Sequence, residues 1–149
     1  MIRAIEAKEL PQFAELGRAF FKFLELPGEF NADSFCSVWN KLIASGAGFI
    51  ISRYKENVPQ EAIGVIIHPD VYTGDPTACT AFWFFSEEPK GLEAGLLHDA
   101  LEFDCRHMKL KYLLTGALCD SRLPRVGGYL LRNGYKLVEM FYRKELSCP

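Results

Sequence analysis

The sequence has no apolar run long enough to cross a bilayer. Stretches such as Gly64–Ile67 and Ala81–Phe85 fall far short of the roughly 20 residues that a span requires. It has no marked excess of charge of either sign: 17 Lys+Arg stand against 19 Asp+Glu, a formal net charge of −2. With a pI near 5.9 the chain lacks the general attraction to phosphate that a broad nucleic-acid surface needs, so no direct nucleic-acid binding is expected. The opening residues do not read as a signal peptide, because Arg3, Glu6, Lys8 and Glu9 interrupt any apolar core. No C-x-x-C pair is present among Cys36, Cys79, Cys105, Cys119 and Cys148, and their number is odd. They read as reduced thiols of a cytoplasmic protein. Cys105 and His107 lie two apart in a helical pattern, about 200° around the axis from each other, so they do not share a metal and none is expected. No Ser-His-Asp or H-E-x-x-H arrangement is visible.

What remains is an ordinary globular composition, 49% hydrophobic and 24% charged over 149 residues. The length fits a single domain, residues 1–149, able to bury about two thirds of its unfolded surface without disulfides or metal.

Hydrophobic period orders the chain. Ile2–Glu6 reads as an opening strand. Leu10, Phe13, Gly17, Phe20 and Leu24 then recur at helical spacing, with Pro11 in the first turn and Leu26-Pro27-Gly28 as the stop. A second helix starts at Asn31 or Asp33, shows Phe35, Val38, Trp39, Leu42 and Ile43 on one face, and ends at Ser45-Gly46. Gly48–Tyr54 and Ala62–His68 are strands, with the polar Lys55–Glu61 between them as a hairpin loop. Pro69–Thr77 is a second polar connection. Ala78–Ser86, apolar on both faces, is a central strand. Leu92–Met108 returns to helical period, Tyr112–Leu118 is a strand, and Asp120 or Ser121 caps a short helix that ends at Asn133-Gly134. Tyr135–Glu145 closes the chain as a strand. The order is β-α-α-β-β-β-α-β-α-β, an α/β class with a mixed sheet.

The junction Phe84–Leu97 carries the most chemistry. A buried strand passes through Pro89 and Gly91 into a helix whose first N–H groups lack intrahelical partners. Those groups and the positive end of the helix dipole favour phosphate, and Lys90 adds a cation. Gly91 lets the backbone bend there, and Gly95 leaves room for close approach.

Element order and this junction together resemble the GNAT superfamily of acyl-coenzyme A dependent N-acyltransferases. In that family a loop Arg/Gln-x-x-Gly-x-Gly/Ala follows the central strand and holds the coenzyme A pyrophosphate. Lys90-Gly91-Leu92-Glu93-Ala94-Gly95 falls at that place, and Tyr129–Tyr135, with its closing Asn-Gly-Tyr, looks like the family's later helix ending in Gly-Phe. The resemblance implies a three-layer sandwich around a central mixed sheet, and acetyl-coenzyme A as co-substrate with no metal. It also implies an amine acceptor, small molecule or protein, and allows a homodimer. It assigns the coenzyme phosphates to Lys90 and the amides of Gly91, Leu92, Glu93, Ala94 and Gly95. The pantetheine and thioester carbonyl go to backbone N–H groups where the central strand bulges, near Phe84 or Phe85.

The motif is only partly kept. Lys90 stands where the family has Arg or Gln and lacks the planar fork. Glu93 replaces the middle glycine; a carboxylate about 7 Å from pyrophosphate at an effective dielectric near 40 costs roughly 1 kcal/mol, and at a helix start it also complements the dipole. Leu130 falls where the family's acidic tyrosine stands, with Tyr129 beside it as the available acid for the departing thiolate. Glu87 and Glu88 are candidate bases at the strand's end, and alternation lets only one face the cleft. His68 and Asp70 form a second option, while His98 and His107 read as surface or packing residues. Asp70 and Asp75 favour a cationic acceptor. Glu93 and Leu130 also leave open a non-catalytic interaction or structural protein of this fold, of a compact kind that viral members resemble in size.

Overall fold

The computed structural model describes residues 1–23, 28–86, 93–116, 123–139 and 144; for Glu93, Ala94 and Leu123 it describes the backbone alone. Chain contacts divide it into two compact units, Met1–Thr115 and Gly116–Pro149.

In the first unit β1 (Ile2–Ala4) leads through a short 3-10 turn, Ala7–Glu9, into α1 (Leu10–Phe23). Pro11 lies in the first turn, where its missing N–H costs no helical bond. Leu10, Phe13, Leu16, Gly17 and Phe20 form the buried stripe. The expected stop at Leu26-Pro27 lies outside the described residues. Asn31 caps α2 (Ala32–Ser45), its side chain accepting from Ser34 N–H at 2.9 Å. Gly46, left-handed at φ 71°, closes the helix, its N–H donating to Ile43 O.

The sheet runs β1-β2-β3-β4-β5, with β2 at Gly48–Lys55, β3 at Val58–Pro69, β4 at Pro76–Phe85 and β5 at Tyr112–Leu114. Neighbours are antiparallel except β4 and β5, which are parallel and joined by the crossover helix α3 (Glu93–His107). The expected mixed sheet is therefore present. One connection differs: the polar stretch Lys55–Glu61 reads as a loop, yet only Glu56 and Asn57 turn. Both have positive φ (50° and 65°), the conformation of a two-residue hairpin turn whose twist matches the flanking strands. Val58 and Pro59 already pair with Lys55 and Tyr54, and Glu61 pairs with Arg53.

Two cores lie on opposite faces of the sheet. Leu10, Phe13, Phe20, Trp39, Ile50, Tyr54, Ala62 and Phe84 pack together beneath α1 and α2. Ile51, Ile63, Val65 and Ala78 meet Leu97, Leu101 and Cys105 of α3 on the other face. This gives the first unit three layers. Among the described residues no helix is long and apolar enough to cross a membrane.

In the second unit α4 (Leu123–Arg132) ends at Gly134, φ 86°. Gly134 N–H donates to Leu131 O and Tyr135 N–H to Leu130 O, the paired bonds of a Schellman stop. The expected strand Tyr135–Glu145 is not seen over 135–139, which are irregular and join no ladder; 140–143 and 145 lie outside the described residues.

Candidate functional site

The irregular strand β4 lies inside the sheet of the first unit, between β3 and β5. Val65 of β3 pairs with Thr80 and Gly64 with Phe82, so Ala81 is an extra residue. This bulge lies three to four residues before the expected position at Phe84 or Phe85. It reverses the alternation of side chains. Ala78 belongs to the core under α3, but beyond the bulge Phe82 and Phe84 turn to the α1–α2 face and Trp83 to the α3 face. Phe82 and Phe84 stack at 4.1 Å, and Gly64 makes room for them: a Cβ there would lie 2.2 Å from the Phe82 ring.

Among the described residues, pairing with β5 covers Thr77, Ala78 and Cys79, so the ladder ends where the bulge begins; of the expected strand Tyr112–Leu118, residues 117 and 118 lie outside the described residues. Ser86 N–H donates to Gln60 O at 2.8 Å. Antiparallel alternation then aims the Phe82 and Phe84 amides at β3, and those of Trp83 and Phe85 away from it. Of the two expected donors, Phe85 therefore has the outward-aimed amide, and Trp83 joins it. The Phe84 ring is buried, while Phe85 is half-buried against Phe20 at 5.0 Å.

Polar groups gather on the α3 face of the same strands. Glu61 is fully buried. It accepts from Trp83 Nε1 at 2.8 Å and from Arg53 Nε at 3.1 Å, and its backbone carbonyl accepts from Ser52 Oγ at 2.7 Å. The His98 ring on α3 is buried, 5.9 Å from the Trp83 ring. Its Nε2 lies 3.4 Å from Thr115 Oγ1, which accepts from Thr80 Oγ1 at 3.2 Å. Burial lowers the His98 pKa from its ordinary value, against the opposing pull of Glu102 and Asp99, and so favours the neutral ring. Sequence reasoning misses Glu61 by reading it as loop. The signal was available, because Glu61, Ile63 and Val65 alternate onto one face.

The remaining expected residues fall as follows. Glu87, Glu88, Lys90, Gly91 and Leu92 lie outside the described residues. Glu93 and Ala94 open α3, and Gly95 is half-buried in its first turn. Tyr129 is half-buried in α4 of the second unit, beside the buried Leu130. His68 pairs with Thr77, at the end of β4 opposite Phe85, about 26 Å away along the strand. The hairpin thus removes His68 and Asp70 from this site. Asp70 instead holds its own turn, accepting from Tyr72 N–H, Thr73 N–H and Thr73 Oγ1, and Asp75 pairs with Lys111 at 2.6 Å. Cys36, Cys79 and Cys105 are free thiols whose pKa values burial raises, Cys105 to about 11. Among the described residues no cluster of His, Cys, Asp and Glu could hold a metal.

No family model matches the chain, and no curated protein matches it in sequence. Solved structures do match its fold. A structure described as a "probable acetyltransferase" shares 12% identity at a TM-score of 0.75, covering 100% of this chain and 98% of its own. The ribosomal-protein-alanine N-acetyltransferase of Brucella melitensis biovar Abortus 2308 shares 15% at 0.68, with 99% of both chains covered. The aminoglycoside N-acetyltransferase AAC(6')-Iy in complex with CoA shares 16% at 0.72, over 98% of this chain and 95% of that one. At such identities the likeness is one of fold: the chain folds as the GNAT acetyltransferases do.

Proposed function

We propose that this GNAT-fold chain is an N-acetyltransferase that takes acetyl from acetyl-coenzyme A and gives it to a primary amine of a small molecule or protein. The observation that supports it most is the Ala81 bulge, where the described β4–β5 ladder ends and the Trp83 amide is aimed away from β3. Backbone donors pre-aimed along a strand edge suit an extended amide-bearing arm and a carbonyl oxygen that gains charge as it is attacked. The solved relative in complex with CoA has the same fold.

In this reading the amides of Trp83 and Phe85 hold the pantetheine arm and the thioester carbonyl. Lys90 and the amides of 91–95 hold the phosphates. Glu87 or Glu88 takes the proton from the acceptor ammonium, leaving a neutral nitrogen to attack. The C–N bond forms as the C–S bond breaks, the attacking nitrogen sheds its second proton to water, and Tyr129 protonates the departing thiolate. The proposal includes a cytoplasmic setting and leaves the acceptor's identity and a homodimer to experiment. Leu130, with no proton to give at the family's tyrosine position, favours a second reading in which the protein binds the coenzyme without turnover.

Calorimetric titration with acetyl-coenzyme A, paired with thiol release over a panel of amines, separates the two. Binding with turnover is expected; binding with no turnover on any amine establishes the second reading. No binding at millimolar acetyl-coenzyme A overturns both. Lys90→Ala is expected to weaken the coenzyme severalfold and Glu93→Gly to strengthen it. Unchanged affinity in both removes this loop from the phosphate site.

A further inference from the structure

Polar side chains of three segments meet where the described β4–β5 ladder ends. Thr80 precedes the bulge residue on β4, Thr115 follows β5, and His98 reaches them from α3. Their contacts form a chain: Thr80 Oγ1 donates to Thr115 Oγ1 at 3.2 Å, and His98 Nε2 lies 3.4 Å from that same hydroxyl. His98 is 1% exposed in a layer otherwise made of Leu97, Leu101 and Cys105, where an apolar side chain would avoid any desolvation cost. Among the described residues, backbone pairing of the two strands ends one residue earlier, at Cys79 and Leu114, and these hydroxyls join the residues that follow. A bulge is a local distortion of the ladder, and its geometry depends on what pins the extra residue. Here a pin spans three elements within two residues of Ala81.

We propose that Thr80, Thr115 and His98 form a clasp that holds the backbone at the Ala81 bulge, where the described ladder ends, and so aims the Trp83 amide. Within the acetyl-transfer reading, on which this catalytic consequence rests, the three are positioning residues: none contacts the reacting atoms, and each acts through the backbone of 80–83. The His98 ring also lies tilted by 48° against the Trp83 ring, at 5.9 Å between centroids, which ties the same helix to the residue whose amide is aimed.

The test compares wild type with Thr115→Val, which keeps shape and removes the hydroxyl, Thr115→Ser, which restores it, and His98→Leu. Two readouts are taken on the full chain. The first is amide hydrogen exchange across 80–83. Thr115→Val and His98→Leu are expected to exchange about tenfold faster there with exchange in α1 unchanged, and Thr115→Ser to return near wild type. The second is steady-state kinetics with acetyl-coenzyme A and an accepted amine: Thr115→Val should lower kcat about tenfold and move KM less than threefold. Wild-type exchange at 80–83 in a folded Thr115→Val protein overturns the clasp. Faster exchange with an unchanged kcat overturns its catalytic consequence. If wild type itself neither binds the coenzyme nor releases thiol, the transferase reading fails, and the exchange result alone decides the clasp.

Discussion

Trp83 Nε1 donates to Glu61 Oε1 across 2.8 Å, joining β4 to a fully buried carboxylate on β3. Arg53 reaches the other oxygen from β2 at 3.1 Å, so three strands are tied at one side chain on the α3 face. Removing the carboxylate takes this acceptor from the Trp83 N–H and from the half-buried Arg53 guanidinium. Glu61→Ala is expected to cost about 3–5 kcal/mol, measured by urea denaturation, and Trp83→Phe about 1–2 kcal/mol. A loss under 1 kcal/mol in Glu61→Ala would show that water takes the carboxylate's place at little cost.

Gly64 faces the stacked pair Phe82 and Phe84, and an added Cβ would come within 2.2–2.7 Å of three Phe82 ring atoms. The ring cannot swing aside without unstacking from Phe84 and leaving Trp39, 5.1 Å away. Gly64→Ala should therefore destabilise by about 1–3 kcal/mol, the range for overpacking. Gly127→Ala, inside α4 where an added Cβ meets none of the described residues within 4 Å, should stabilise by roughly 0.5–1 kcal/mol through helix propensity. Opposite signs in the two melting temperatures check the contrast.

Much of this architecture is legible in the sequence because local chemistry and tertiary role agree. Asn31 and Gly46 bracket α2 as cap and stop, and the apolar run of β4 marks a strand inside the sheet. Other features escape for physical reasons. The Glu56-Asn57 turn lacks the glycine that usually signals such a turn, so the polar residues flanking it look like loop although Val58 and Pro59 are paired. The bulge at Ala81 leaves no compositional mark, because either register of an aromatic strand apolar on both faces looks alike. His98 reads as a surface or packing residue until β5 brings Thr115 against it, a contact seventeen residues away in sequence. The antiparallel hairpin likewise decides that His68 lies far from Phe85, which no spacing rule could show.

Lys109 ends α3 in the left-handed conformation, φ 59°, where glycine is the usual residue. Its N–H donates to Arg106 O and that of Leu110 to Cys105 O, both at 3.0 Å, so the stop is fully formed around a residue with a Cβ penalty. Lys109→Gly relieves about 1 kcal/mol of that strain and returns part of it to the freer unfolded chain. A net gain near 0.5 kcal/mol is expected, with none for Lys109→Ala. A destabilised glycine variant in thermal melts would show that Lys109's side chain holds the turn.

Acid stability should depend on Glu9. Its carboxylate takes both arms of the Arg3 guanidinium, at 2.8 and 2.6 Å, and also accepts from Glu6 N–H at 2.8 Å and Tyr54 OH at 3.2 Å. The Arg3 hydrogen bonds dominate in lowering the Glu9 pKa to about 2. A carboxyl whose folded value is depressed contributes stability that is fully present above its unfolded value of about 4.3 and is lost as pH falls toward 2. After allowance for solvent screening the loss is roughly 1–2 kcal/mol. At the other extreme burial pushes Tyr54 up to about 12, so the folded form keeps a proton that the unfolded form releases near 10, and stability falls as pH rises across that interval. Glu9→Gln should flatten the acid limb between pH 4 and pH 2 and leave the Arg3 guanidinium stacked over the Tyr54 ring at 4.4 Å. An acid limb as steep in Glu9→Gln as in wild type would move the origin of acid lability to another carboxylate.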